Sequence, residues 1–222
     1  MSDKKSNETI SLKLNDFLVK YKGLVFGFIA VLFVFVIVLS VGMTISSSSV
    51  SKGISQIDSI DYTFRKDTDG ISGDDLLKKQ DEALASLNPL LKNSGVVGSR
   101  TNFLAADIYF QKGMFEESRE CWINAAKKNS SAYTAPIAYY NAAVCSENLN
   151  DLESAIEYYE KVVSAKEFYL IDHAYFSLGR VNESKGDLEA AKTAYEKISG
   201  KTNEWGALAQ SRLISIDIQS IQ

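Results

Sequence analysis

Three spacings of apolar residues divide the chain. Residues 24–43 (LVFGFIAVLFVFVIVLSVGM) are apolar without period and carry no charge. At about 1.5 Å rise per residue, such a run makes a helix about 30 Å long, the thickness of a bilayer hydrocarbon core. It predicts one transmembrane helix, because no other segment is apolar enough to bury it on all sides. In residues 74–92 (DDLLKKQDEALASLNPLLK), Leu76, Leu77, Leu84, Leu87 and Leu91 recur at three- and four-residue steps. That spacing predicts an amphipathic helix with Pro89 near its end. From residue 99 onward, small and aromatic residues recur at fixed intervals instead. The serine-rich stretch 44–56 (TISSSSVSKGISQ) reads as a tether. Residues 57–73 read as irregular, with Asp67, Asp69, Gly70 and Gly73 marking a turn.

Three stretches lie on one frame: residues 103–128, 140–163 and 176–199. Each has a small residue early (Ala106, Ala143, Gly179). Each then has a turn (Lys112-Gly113, Asn150-Asp151, Gly186-Asp187), followed by Phe115, Leu152 or Leu188. A second small residue (Ser118, Ala155, Ala191) precedes an aromatic by four positions (Trp122, Tyr159, Tyr195), with Ala125, Val162 or Ile198 three further on. Helices that pack closely need small residues where their axes are nearest and large ones in the adjacent gap. A single hairpin cannot bury its apolar face, so copies stack. The pattern predicts helical hairpins whose repeated residues serve packing.

The pattern resembles the tetratricopeptide repeat. The third copy matches with Tyr175, Leu178, Gly179, Ala191, Tyr195 and Ile198. The second matches with Tyr139, Ala142, Ala143, Ala155, Tyr159 and Val162, and the first with Ala105, Ala106, Tyr109, Ser118, Trp122 and Ala125. The repeats lack a closing proline and exceed the usual period, which implies longer loops between them. The expected architecture is all-α: a single N-terminal transmembrane helix, then a tetratricopeptide-repeat solenoid with a C-terminal capping helix. Its boundaries are a cytoplasmic segment at 1–23, the span at 24–43, a tether at 44–73, a leading helix or degenerate half repeat at 74–98, three repeats at 99–200 and the cap at 201–222. Trp205 and Leu208 are expected to pack the cap inward.

Charge sets the expected orientation. Lys13, Lys20 and Lys22 precede the span and only Lys52 closely follows it, so the positive-inside rule puts the N-terminus in the cytoplasm. The length of the apolar run and of its lead favours an uncleaved signal anchor, the alternative being cleavage at the small residues Ser46 to Ser49. The net charge of −4 makes nucleic acid an improbable partner. Gly23 and Gly27 form a GxxxG spacing that lets two spans approach closely, a route to association of copies. Cys121 and Cys145 have no metal-ligand spacing and are expected on different faces. The single histidine, His173, reads as an ordinary surface residue. No nucleophile–base pair, metal set or cofactor motif is present, so neither an enzyme nor a cofactor is expected.

The whole layout is similar to the YfgM-type ancillary subunits of the bacterial Sec translocon. That resemblance implies an inner-membrane protein with its repeats in the periplasm, working with translocon subunits and periplasmic chaperones. In a tetratricopeptide stack the first helix of each pair lines a concave groove. The groove positions here are Arg100, Phe103, Asp107 and Phe110 in the first repeat. They are Tyr140, Asn141, Val144 and Asn148 in the second, and His173, Phe176, Arg180 and Glu183 in the third. Phe103, Tyr140 and Phe176 form a stripe suited to apolar side chains of a peptide. The expected function is a membrane-anchored scaffold joining the translocon to periplasmic chaperones. The alternatives are a holdase that grips unfolded client chains, or a scaffold for another envelope complex.

Overall fold

A computed structural model describes residues 17, 19–66, 68, 70–165 and 168–219. Most of the expected segment 1–23, including Lys13, and the turn residues Asp67 and Asp69 lie outside them. The described residues contain no strand. The chain divides into two units between Lys52 and Gly53.

Helix α1, Lys22–Arg65, crosses that division. In the first unit its residues are long and apolar enough to cross a membrane, with a mean hydropathy of 3.2 over the most apolar window, none of it buried. Gly23 and Gly27 lie on this segment, and an added Cβ at either would meet open space.

The second unit opens with the end of α1, where the expected tether and irregular segment are corrected. Residues 53–65 are helical, and Ile57 and Phe64 are only 2% and 5% exposed. Ile54, Ile57, Ile60 and Phe64 recur at helical spacing and face the core. The serines upstream masked that stripe. Val97 packs against the backbone of Gly53, where a Cβ would fall 2.8 Å from Val97 Cγ1.

Helix α2, Gly73–Leu87, starts on a Ser72 cap whose hydroxyl accepts from the Asp75 N–H, and ends in a 3₁₀ turn at Asn88–Leu90. The core shared by Ile57, Phe64, Ala83 and Leu87 makes residues 53–65 and α2 a leading pair. The half repeat expected at 74–98 thus finds its other half upstream. The first full repeat begins at Gly95, earlier than expected.

Three hairpins follow: α3 (Gly95–Gln111) with α4 (Phe115–Lys128), α5 (Ala135–Asn148) with α6 (Leu152–Val163), and α7 (Ile171–Lys185) with α8 (Leu188–Glu196). Each turns on a left-handed residue at the same register: Gly113 at φ 73°, Asn150 at φ 56° and Gly186 at φ 87°. Asp151 and Asp187 then cap α6 and α8 by accepting from the N–H groups of Ser154 and Ala190. Glu116, Glu117, Glu153 and Glu189 sit in the first turns of the second helices, where the helix dipole favours them.

The predicted packing residues occupy the closest approaches. Ala106, Ala143, Ala155, Ala191 and Ser118 are fully buried. The Ser118 hydroxyl donates to the Ala106 carbonyl at 2.8 Å. Helix α9, Glu204–Gln219, closes the stack through Ala209 and Ile216. Trp205 packs against this core, but Leu208 points away and is 46% exposed. The face carrying Ala209, Leu213 and Ile216 is the one that docks.

Candidate functional site

A cleft of about 570 Å³ lies in the second unit between the end of α1, helix α3 and the loop 129–134. Ile57, Asp61 and Arg65 form one wall; Arg100, Phe103, Leu104 and Asp107 form the other. Trp122 lines the cleft from α4, and Tyr133, 82% exposed, stands at its mouth. The volume and the mix of apolar walls with a few polar groups suit a ligand site.

Its charges are paired. Arg100 bridges Asp58 at 2.7 Å. Arg65 bridges Asp61 at 2.7 Å and Asp107 at 3.4 Å, and Gln111 donates to Asp107 at 3.1 Å. These pairs tie the end of α1 to α3. Hydrogen bonding to Asp61 is the foremost influence on the Arg65 guanidinium and raises its already high pKa.

Three of the four groove positions expected in the first repeat therefore meet in one place: Arg100, Phe103 and Asp107. Phe110, three residues past Asp107, packs edge-on against Phe115 at 5.3 Å. The other two sets do not extend the cleft. The Tyr140 hydroxyl lies 3.0 Å from His173 Nε2 and 3.4 Å from the Ser177 hydroxyl, and its ring meets Tyr159 edge-on at 5.4 Å. His173 stacks on Trp205 at 3.9 Å, so it is a half-buried interhelical residue and the surface assignment is corrected. Burial, then the nearby Arg180, lowers its pKa, while Glu204 opposes them. Phe176 packs against both Tyr195 and Trp205 at 5.6 Å. The aromatic stripe is thus split, because each ring in repeats two and three is covered by the helix that follows. Asn141 and Val144 are half-buried on α5, and exposed Asn148 donates to its own helix at the Val144 carbonyl.

Arg180 and Glu183 belong to a device that appears twice. In repeat two the Tyr159 hydroxyl donates to Glu147 at 2.6 Å, and Arg180 of the next hairpin bridges the same carboxylate at 2.6 Å. In repeat three the Tyr195 hydroxyl donates to Glu183 at 3.0 Å, and Arg212 of the cap bridges that carboxylate. Burial, followed by the carboxylate, pushes both phenols far above their usual range. The frame of the repeats aligns Glu147 and Glu183 with each other, but the intervals between small residues and aromatics gave no sign of this network.

In repeat one the phenol is replaced by Trp122 and the glutamate by Phe110. Trp122 is 6% exposed, its ring edge-on to Phe103 at 4.8 Å. Its Nε1–H is a buried donor with no acceptor among the described residues. The two cysteines are buried thiols: Cys145 Sγ donates to the Ser118 hydroxyl at 3.3 Å, and burial pushes Cys121 up to about 12.

Comparison with known proteins bears on the stack. Residues 172–199 match the tetratricopeptide repeat, and residues 105–178 match a domain of unknown function, DUF6340. A TPR repeat-containing protein of Treponema pallidum (strain Nichols) is 29% identical over 157 residues, covering 68% of this chain. The match spans 66% of that relative's length. Among solved structures, a Podosopora anserina chain of nearly identical TPR-like repeats superposes with a TM-score of 0.55 at 15% identity, over 75% of this chain and 85% of that one. At that identity the likeness is one of fold. MamA aligns with 64% of this chain and 85% of its own, with a TM-score of 0.48 and 21% identity. Repeat spacing, hairpin geometry, the repeat match over residues 172–199 and the Treponema relative support a tetratricopeptide-type repeat fold.

Proposed function

We propose that this protein is a membrane-anchored interaction scaffold of the bacterial envelope, with its N-terminus in the cytoplasm and its repeats in the periplasm. Its partners are subunits of the secretory translocon, met through the span, and a periplasmic chaperone, met through the repeats. The observation that carries the scaffold reading is the cleft between the end of α1 and helix α3, an open, partly apolar surface. The uncharged apolar helix and the lysines before it support the anchor and its orientation.

An adaptor accounts for the site better than a holdase does. A holdase needs a broad apolar surface, whereas Tyr140 and Phe176 are packed against His173, Tyr195 and Trp205. The cleft is instead bounded, with paired charges at its rim. Affinity purification of the full chain from its native membrane tests the choice. An adaptor retains one or two proteins at fixed stoichiometry and leaves the aggregation of unrelated unfolded chains unchanged. Suppressed aggregation without a stoichiometric partner would mean a holdase. Modification of cysteines placed at Ser6 and at Glu160 by a membrane-impermeant thiol reagent tests the orientation: only Glu160→Cys reacts in intact cells with a permeabilised outer membrane.

A further inference from the structure

Three hairpins share one arrangement, in which an aromatic of the second helix lies edge-on or tilted beneath an aromatic of the first: Trp122 under Phe103, Tyr159 under Tyr140, Tyr195 under Phe176. In two of them the lower ring carries a hydroxyl that donates a hydrogen bond to a glutamate of the same hairpin. An arginine from the following element balances that glutamate. In the first hairpin all three parts change. Phe110 stands in the glutamate's register, Val144 stands in the register of Arg180, and the donor is the indole N–H of Trp122. That donor is buried without an acceptor and belongs to a residue lining the cleft. A buried, unpaired N–H carries a desolvation cost that an acceptor from outside recovers.

On the reading of the cleft as the scaffold's contact site, we infer that it takes an uncharged stretch of a partner polypeptide, with an apolar side chain against Phe103 and Leu104 and a backbone carbonyl accepting from Trp122 Nε1. The acceptor is neutral because the arginine that balances a carboxylate in the other two hairpins is missing here. Arg65 and Arg100, which line the cleft, are already bound to aspartates. The cleft's lining charges are Asp61, Asp107, Arg65 and Arg100, which sum to zero and offer no attraction to an acidic or basic tail. Phe103, half-buried above the indole, is the side chain that turns to admit the carbonyl.

The test uses the full chain in detergent micelles, with the capped peptide acetyl-Ala-Leu-Phe-Ala-amide and an acetyl-Ala-Leu-Phe-Asp probe with a free carboxylate. The chain has two tryptophans, so its two indole N–H resonances are assigned with Trp122→Phe and Trp205→Phe. The neutral peptide is expected to shift the Trp122 resonance downfield saturably and to leave Trp205 unmoved. Trp122→Phe is expected to weaken the peptide roughly 5-fold, the value of one hydrogen bond. Phe110→Glu, which restores the internal acceptor, is expected to weaken it by a similar factor while the Trp205 resonance reports an intact stack. An unmoved Trp122 resonance, or tighter binding of the acidic probe, overturns the inference. If those results accompany stoichiometric recovery of a native partner, the scaffold reading stands and only the ligand class falls; loss of the partner as well removes both.

Discussion

Gly179 lies directly against the ring of Tyr195: a Cβ built on the glycine would sit 2.5 Å from Tyr195 Cε1. Tyr195 is fully buried and held at its far end by Glu183, so the ring has nowhere to go. Gly179→Ala should therefore destabilise the stack by about 1–2 kcal/mol, because overpacking outweighs the roughly 1 kcal/mol that alanine gains in a helix. Chemical denaturation of the full chain in detergent measures it. Stabilisation by alanine would show that the closest approach lies elsewhere.

Residues 53–65 should behave as part of the repeat unit. Phe64→Ala removes a ring that is 5% exposed and should cost about 3 kcal/mol, with faster amide exchange in α2, against which it packs. Ser47→Ala, upstream of the division, should change neither quantity.

The tyrosine–glutamate–arginine device should be cooperative. Tyr159→Phe should cost about 1 kcal/mol, and Glu147→Ala about 2 kcal/mol because it strands a buried hydroxyl. A double-mutant cycle on the two positions should return a coupling of about 1 kcal/mol. A coupling of zero would mean the 2.6 Å contact contributes nothing net.

Stability should fall on mild acidification through His173. Its folded pKa is lowered from the ordinary 6.5, chiefly by burial against Trp205 and Tyr140, so the folded state resists protonation more than the unfolded chain does. Its contribution is thus complete above about pH 6.5 and is lost as pH falls from there toward the folded pKa. The facing charges are Arg180, which deepens the shift, and Glu204, which opposes it. Melting temperatures of the full chain at pH 7.5 and 5.5 should differ, and His173→Gln should shrink the difference.

Much of this fold is legible in the residues. The intervals Ala143–Ala155–Tyr159 and Gly179–Ala191–Tyr195 locate hairpins because close helix packing admits few solutions. The register of Gly113, Asn150 and Gly186 locates their turns. The docking of residues 53–65 was hidden because Ile57 and Phe64 follow a run of serines and precede a loop. The site was only partly legible. Groove register identified Arg100, Phe103 and Asp107, but register alone says nothing of what covers a residue. His173 and Phe176 occupy the same kind of position and are closed over by Trp205. The unpaired indole of Trp122 has a sequence signature visible only once Glu147 and Glu183 are seen to hold Tyr159 and Tyr195: an aromatic in the repeat's register whose glutamate has become Phe110.

The most direct test of the scaffold reading is photocrosslinking in living cells from a benzoylphenylalanine placed at Tyr133, at the mouth of the cleft, compared with one at exposed Thr193 on α8. The account predicts one discrete protein adduct from position 133, absent from position 193 and reduced when Phe110→Glu is added. Equal adducts from both positions, or an adduct from 133 that survives Phe110→Glu unchanged, would contradict it.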